Sequence, residues 1–98
     1  MTIDIELSSG LGRIELLGVE LEGRGEQGLI ARGLMGKFPV RVNVIGRIIV
    51  LTAVPVPDDE RRTVRWVVTE RLSPNWLSVP PRWDYSEAQW TCRVRLHK

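Results

Sequence analysis

The chain of 98 residues holds one cysteine, Cys92, and one histidine, His97. A lone cysteine forms no intrachain disulfide, so the chain is unlike a small secreted disulfide scaffold and reads as a protein of a reducing, cytoplasmic setting. The same scarcity leaves too few ligands for a structural zinc site, which takes four nitrogen or sulfur donors. Cys92 and His97 are also an odd number of positions apart on what reads as one strand. They would point to opposite faces, whereas a nucleophile needs its base within hydrogen-bond reach. No cofactor is implied, and the chain is not expected to be an enzyme. A small ligand-binding domain or enzyme using only carboxylates such as Glu70, Asp84 and Glu87 stays open as a minor alternative.

Long apolar runs are missing as well. The longest, IIVLTAVPV from Ile48 to Val56, falls well short of the about 20 residues a membrane helix needs and contains proline. The start, MTIDIELSSGLG, is acidic where a secretory leader would be basic, so neither a leader nor a membrane partner is expected. Lysine is scarce, with only Lys37 and Lys98, and the net charge is only +2. Any nucleic-acid reading must therefore rest on how the arginines are arranged and not on total charge.

Amphipathic helical periodicity is absent too, and what replaces it is alternation with period two. Ile3, Ile5 and Leu7 alternate with Asp4 and Glu6. In RIELLGVELE the phase slips between Leu16 and Leu17 beside Gly18, which predicts a β-bulge. Residues 29 to 35 read as a further strand after the loop GRGEQG. FPVRVNVIGRIIVLTAV, from Phe38 to Val54, reads as one strand bent at Gly46 or two meeting at a corner between sheets, with Phe38, Val40, Val42, Val44, Ile48, Val50 and Val54 on one face. Residues 63 to 72 place Val64, Trp66 and Val68 inward and form a hairpin with the preceding strand. The last strand, from about Gln89, places Trp90, Cys92, Val94 and Leu96 inward. Asp84 to Glu87 has the spacing of a capping box, which predicts one short helical turn. The expected architecture is a single all-β domain spanning residues 1 to 98, a small barrel or sandwich of six or seven mostly antiparallel strands.

Gly23-Arg24-Gly25-Glu26-Gln27-Gly28 matches a dinucleotide-binding fingerprint in letters only. The helix that must follow is precluded by Gly33, Gly36 and Pro39, so a hairpin loop is expected. Asp58, Asp59 and Glu60 lack the spacing of a calcium loop and read as a solvated hairpin tip.

Two constellations carry the functional expectation. Trp66 and Trp90 belong to core faces by parity, but Trp76 and Trp83 lie in the proline-rich connection SPNWLSVPPRWDY. One of them is expected to plug the open end of the fold, and the other to form an exposed ridge with Arg82 and Tyr85. Tryptophan, tyrosine and arginine dominate interface hot spots. The leading reading is thus a non-catalytic protein-interaction or assembly module, of the accessory-subunit or inhibitor kind, that contacts another protein or a second copy of itself through Trp76, Arg82, Trp83 and Tyr85. The alternative is a nucleic-acid-binding barrel. If the central and C-terminal strands are neighbours, Arg41, Arg47, Arg65, Arg71, Arg93 and Arg95 share the outward parity of one sheet and could track phosphates.

Overall fold

Alternating β-branched and polar residues form strands because the branched side chains pack well on a pleated, half-buried surface. In a computed structural model, which describes residues 1–10, 12–22, 25–33, 36–55, 59, 61–86 and 88–98, the described residues contain nine strands and no helix. They are β1 (Thr2–Ser9), β2 (Gly12–Glu20), β3 (Gly25–Gly33), β4 (Gly36–Ile45), β5 (Ile48–Ala53), β6 (Val64–Val68), β7 (Leu77–Val79), β8 (Pro81–Asp84) and β9 (Thr91–Leu96). A four-stranded sheet runs β2-β1-β9-β7 and a five-stranded sheet runs β3-β4-β5-β6-β8, every described pair antiparallel. The sheets do not close on each other, so of the two expected architectures the sandwich fits and the barrel does not. Among the described residues no helix is long and apolar enough to cross a membrane.

The core between the sheets follows the predicted parity in the first strand, in β6 and in the C-terminal segment. Ile3, Ile5 and Leu7 of β1, Val64, Trp66 and Val68 of β6, and Trp90, Cys92 and Val94 at the C-terminus are all buried. The predicted bulge is present: β1 and β2 lose register between Ile3 and Ile5, opposite Leu17 and Gly18, and Gly18 has φ +66°. Trp90 packs against Phe38 with ring centroids 5.6 Å apart.

Four expectations are corrected. The strand predicted to begin at residue 29 begins at Gly25, so the Gly25 to Gly28 part of the glycine motif is strand and not loop, while Gly23 and Arg24 lie outside the described residues. The stretch 38 to 54 neither bends nor changes sheet: β4 and β5 form a hairpin with the pair Ile45 and Ile48 closing a two-residue turn. That turn sets even positions of β4 opposite odd positions of β5, so Ile49, Leu51 and Ala53 face inward while Ile48 and Val50 face out. The strand count rises above six or seven because the proline-rich connection itself supplies β7 and β8. The predicted turn of helix after Asp84 is replaced by an Asp-centred turn. The Asp84 carboxylate accepts the Ser86 N–H at 2.9 Å and the Trp90 N–H at 2.8 Å, which ties the turn to the residue before β9. Glu87, the far end of the expected capping box, lies outside the described residues, as do Asp58 and Glu60 of the acidic tip; Asp59 is engaged by Arg61 at 3.0 Å.

Candidate interaction surfaces

On β1 the residues between the core positions, Asp4 and Glu6, point away from the core yet are themselves buried. The cause is the central place of β1, flanked by β2 and β9. Long side chains from both neighbours fold over the short acids. Register sets Asp4 opposite Arg95 and Glu6 opposite Arg93. Arg93 grips Glu6 with two hydrogen bonds, Nε to Oε1 at 3.0 Å and Nη2 to Oε2 at 2.8 Å, and Arg13 of β2 approaches the same carboxylate at 3.3 Å. Asp4 accepts from Arg95 Nε at 2.8 Å and from the Gly18 N–H at 2.8 Å, and its other contact is His97 Nδ1 at 2.7 Å. Burial pushes the Asp4 carboxyl up, but these donors together outweigh it and hold the group at about 2. The Arg93 hydrogen bonds likewise hold Glu6 below the usual carboxylate range against its burial. Trp76 closes the stack, its ring lying 4.2 Å from the Arg95 guanidinium carbon and 5.0 Å from that of Arg93.

This face was not read as a site in the sequence, though its signal was there. Two acids at a spacing of two in the first strand match two arginines at the same spacing in the last. The face is a self-satisfied charge ladder: Arg13, Arg93 and Arg95 each already have a carboxylate, and Arg93 and Arg95 also an aromatic ring.

The outer face of the five-stranded sheet differs. Register aligns Arg41, Thr52, Arg65 and Trp83 in one row across β4, β5, β6 and β8. Arg65 is half-buried, donates from Nε to Thr52 Oγ1 at 3.2 Å, and places its guanidinium carbon 4.5 Å from the centre of the Trp83 ring. Among the described residues it has no carboxylate partner. Arg41 lies 3.8 Å from Glu26. To one side of the row stand Val50, Val67, Ile45 and Ile48, and to the other Ile30 and Pro39, with Ile45 at 57% and Ile30 at 59% exposure. Arg82 and Tyr85 are exposed beside Trp83, with the Tyr85 N–H bonded to the Thr63 carbonyl at 2.9 Å.

The tryptophan pair is therefore divided. The chain crosses between sheets at Pro80, so Trp76 covers one outer face and Trp83 the other, and neither fills the end of the sandwich. Arg82 and Tyr85 flank Trp83 along the chain, and Trp76 lies on the other sheet's side. The arginine set divides too, because β9 pairs with β1 and β7 and not with the central strands. Arg41 and Arg65 share one face, Arg93 and Arg95 the opposite one, and Arg47 and Arg71 line an open cleft of about 650 Å³ at one end, with Glu70, Leu72 and Leu96. The convergence of six arginines on one sheet does not occur.

Cys92 is buried between the sheets, and burial pushes its thiol up to about 12, whereas His97 lies on the outer face against Asp4. No protein-family model, curated protein or solved structure matches this chain.

Proposed function

We propose that the chain is a non-catalytic protein-interaction or assembly module of the cytoplasm, and that it meets its partner with the outer face of the five-stranded sheet. The observation that carries this reading is the Arg65–Trp83 pair. A guanidinium without a described carboxylate partner is held over an indole, in a face that also exposes Ile30, Ile45, Ile48 and Tyr85. Rigid arginine and tryptophan anchors ringed by apolar side chains are the composition of interface hot spots, and exposed apolar clusters mark contact sites. The opposite face is a poorer candidate, since a partner would have to displace or desolvate ion pairs already formed. Trp76 accordingly acts as a cover for Arg93 and Arg95, and Arg82, Trp83 and Tyr85 form one rim of the contact.

A second reading has support of its own. Arg32, Lys37, Arg41 and Arg65 lie on this same face with Glu26 as the described acid among them. A basic sheet with an aromatic platform also suits single-stranded nucleic acid. A photo-reactive residue in place of Tyr85 tests the two together, with the same residue at Ser78 on the other sheet as control. A discrete protein adduct from position 85 that disappears with Arg65→Glu is expected. A nucleic-acid adduct, with oligonucleotide affinity that falls steeply with salt, would replace the first reading by the second, and equal labelling from both positions would overturn both.

A further inference from the structure

The two sheets have four edge strands, and three of them are blunted. β2 is bulged at Gly18, β7 has three residues and ends against Pro80, and β8 begins with Pro81 and slips register against β6. Such devices keep edges from pairing with other chains. β3 has none of them: Gly25 to Gly33 is nine residues long, in unbroken register with β4, without proline or lysine.

The polar groups on its free side can be identified. The Pro39 carbonyl accepts the Val54 N–H and so points toward β5. Successive residues of a strand turn their N–H and C=O to opposite sides, so Phe38 and Val40 bond toward β3, to their partners Ala31 and Leu29. The residues of β3 that turn outward are therefore Glu26, Gly28, Ile30 and Arg32, all exposed.

We propose that β3 is a self-association edge, on which a second copy of this chain adds antiparallel about a two-fold axis through Leu29. An axis there overlaps the whole strand, Gly25 on Gly33. That same register sets Glu26 of each copy opposite Arg32 of the other, and Ile30 opposite Gly28. All four outward residues become hydrogen-bonded pairs, on the order of eight backbone bonds, and opposite charges meet twice. The exposed Ile30 gains the space over Gly28, where an added Cβ would meet nothing. The half-buried Leu29 meets its own copy on the inner side at the axis. A shift of one position would bring backbone groups that are already bonded to β4 against the edge, and a shift of two would lose the charge match. The five-stranded sheet becomes a continuous sheet of both copies, in a closed isologous dimer. This edge shares Ile30 with the Arg65–Trp83 face, but it rests on backbone pairing and the Glu26–Arg32 match and not on the Arg65–Trp83 pair, so either proposal stands if the other fails.

Sedimentation equilibrium of the full chain, from micromolar to millimolar, reads the association. The mass is expected to rise from 11.2 kDa toward twice that value. Glu26→Arg and Arg32→Glu should each weaken the dimer by about tenfold or more, because like charges then face each other twice, while the double exchange returns it to within about threefold of the starting chain. In the unmodified chain, amide hydrogen exchange at Glu26, Gly28, Ile30 and Arg32 should slow with concentration, with no such change on β8. A chain that stays at 11.2 kDa throughout, or a dimer indifferent to both single exchanges and to exchange protection at β3, overturns the proposal.

Discussion

Asp4 is 1% exposed, although it stands on the outer face of a sheet, and its carboxylate is engaged by Arg95, His97 and the Gly18 N–H. Asp4→Asn keeps the shape but leaves Arg95 facing an amide, and is expected to lower stability by about 2–3 kcal/mol in urea unfolding at neutral pH. The sign of the pH dependence follows from the carboxyl being held at about 2, below its ordinary 3.8. The folded state then binds the proton less well than the unfolded one, so this stabilisation is fully present above the ordinary value and is lost as pH falls toward about 2. It amounts to about 2 kcal/mol, and Glu6 adds in the same direction. Unfolding free energies stepped through that window should fall steeply for the native chain and more gently for Asp4→Asn. The two divided tryptophans should also separate: Trp76→Ala is expected to cost about 1–2 kcal/mol through the loss of its two guanidinium stacks and to leave adduct formation at position 85 intact, whereas Trp83→Ala should abolish the adduct. At this scale the parity of Trp66, Trp90 and Cys92 was readable because Trp66 and Cys92 sit within regular strands and Trp90 directly precedes the last one. The partners of Arg93 and Arg95 were not, because Glu6 and Asp4 lie at the other end of the chain.

The β4–β5 hairpin shows why a regular element can still be assigned to the wrong face. Alternation in Phe38 to Val54 runs on through the turn almost unbroken, and continuous parity suggests a continuous face. A two-residue turn reverses the chain and shifts the pairing, so the residues that continue the pattern beyond it emerge on the opposite side. Ile48 and Val50 thereby join the outer face with Ile45, and the apolar part of the candidate surface arises from this reversal. Gly46 has φ +61° at the first turn position and Arg47 an ordinary negative φ, the pattern of the turn type that calls for glycine first. Gly46→Ala should cost about 1–2 kcal/mol, measured by thermal or urea unfolding, although a Cβ there would meet no atom. The short strands β7 and β8 escaped the sequence reading for a different reason. Proline argues against a central strand, but Pro80 and Pro81 sit between the sheets and at the head of an edge strand, where a missing N–H interrupts no ladder.

At the scale of the molecule the first and last strands are the inner pair of the four-stranded sheet. β9 contributes Cys92 and Val94 to the core and both cations to the charge ladder. A chain ending at Trp90 should therefore show no cooperative thermal transition by circular dichroism, where loss of a peripheral strand would leave a weakened one. Strand class, the core faces of the terminal strands, the bulge at Gly18 and the lack of a long amphipathic helix among the described residues were legible in the sequence, since period-two alternation and turn chemistry are properties of a few neighbouring residues. Which strands become neighbours is settled by pairing across nearly the whole chain and by the crossing at Pro80. That non-local step joins Arg93 and Arg95 to Glu6 and Asp4, leaves Arg65 on Trp83 at the opposite surface, and turns a row of six similar arginines into groups with different chemistry.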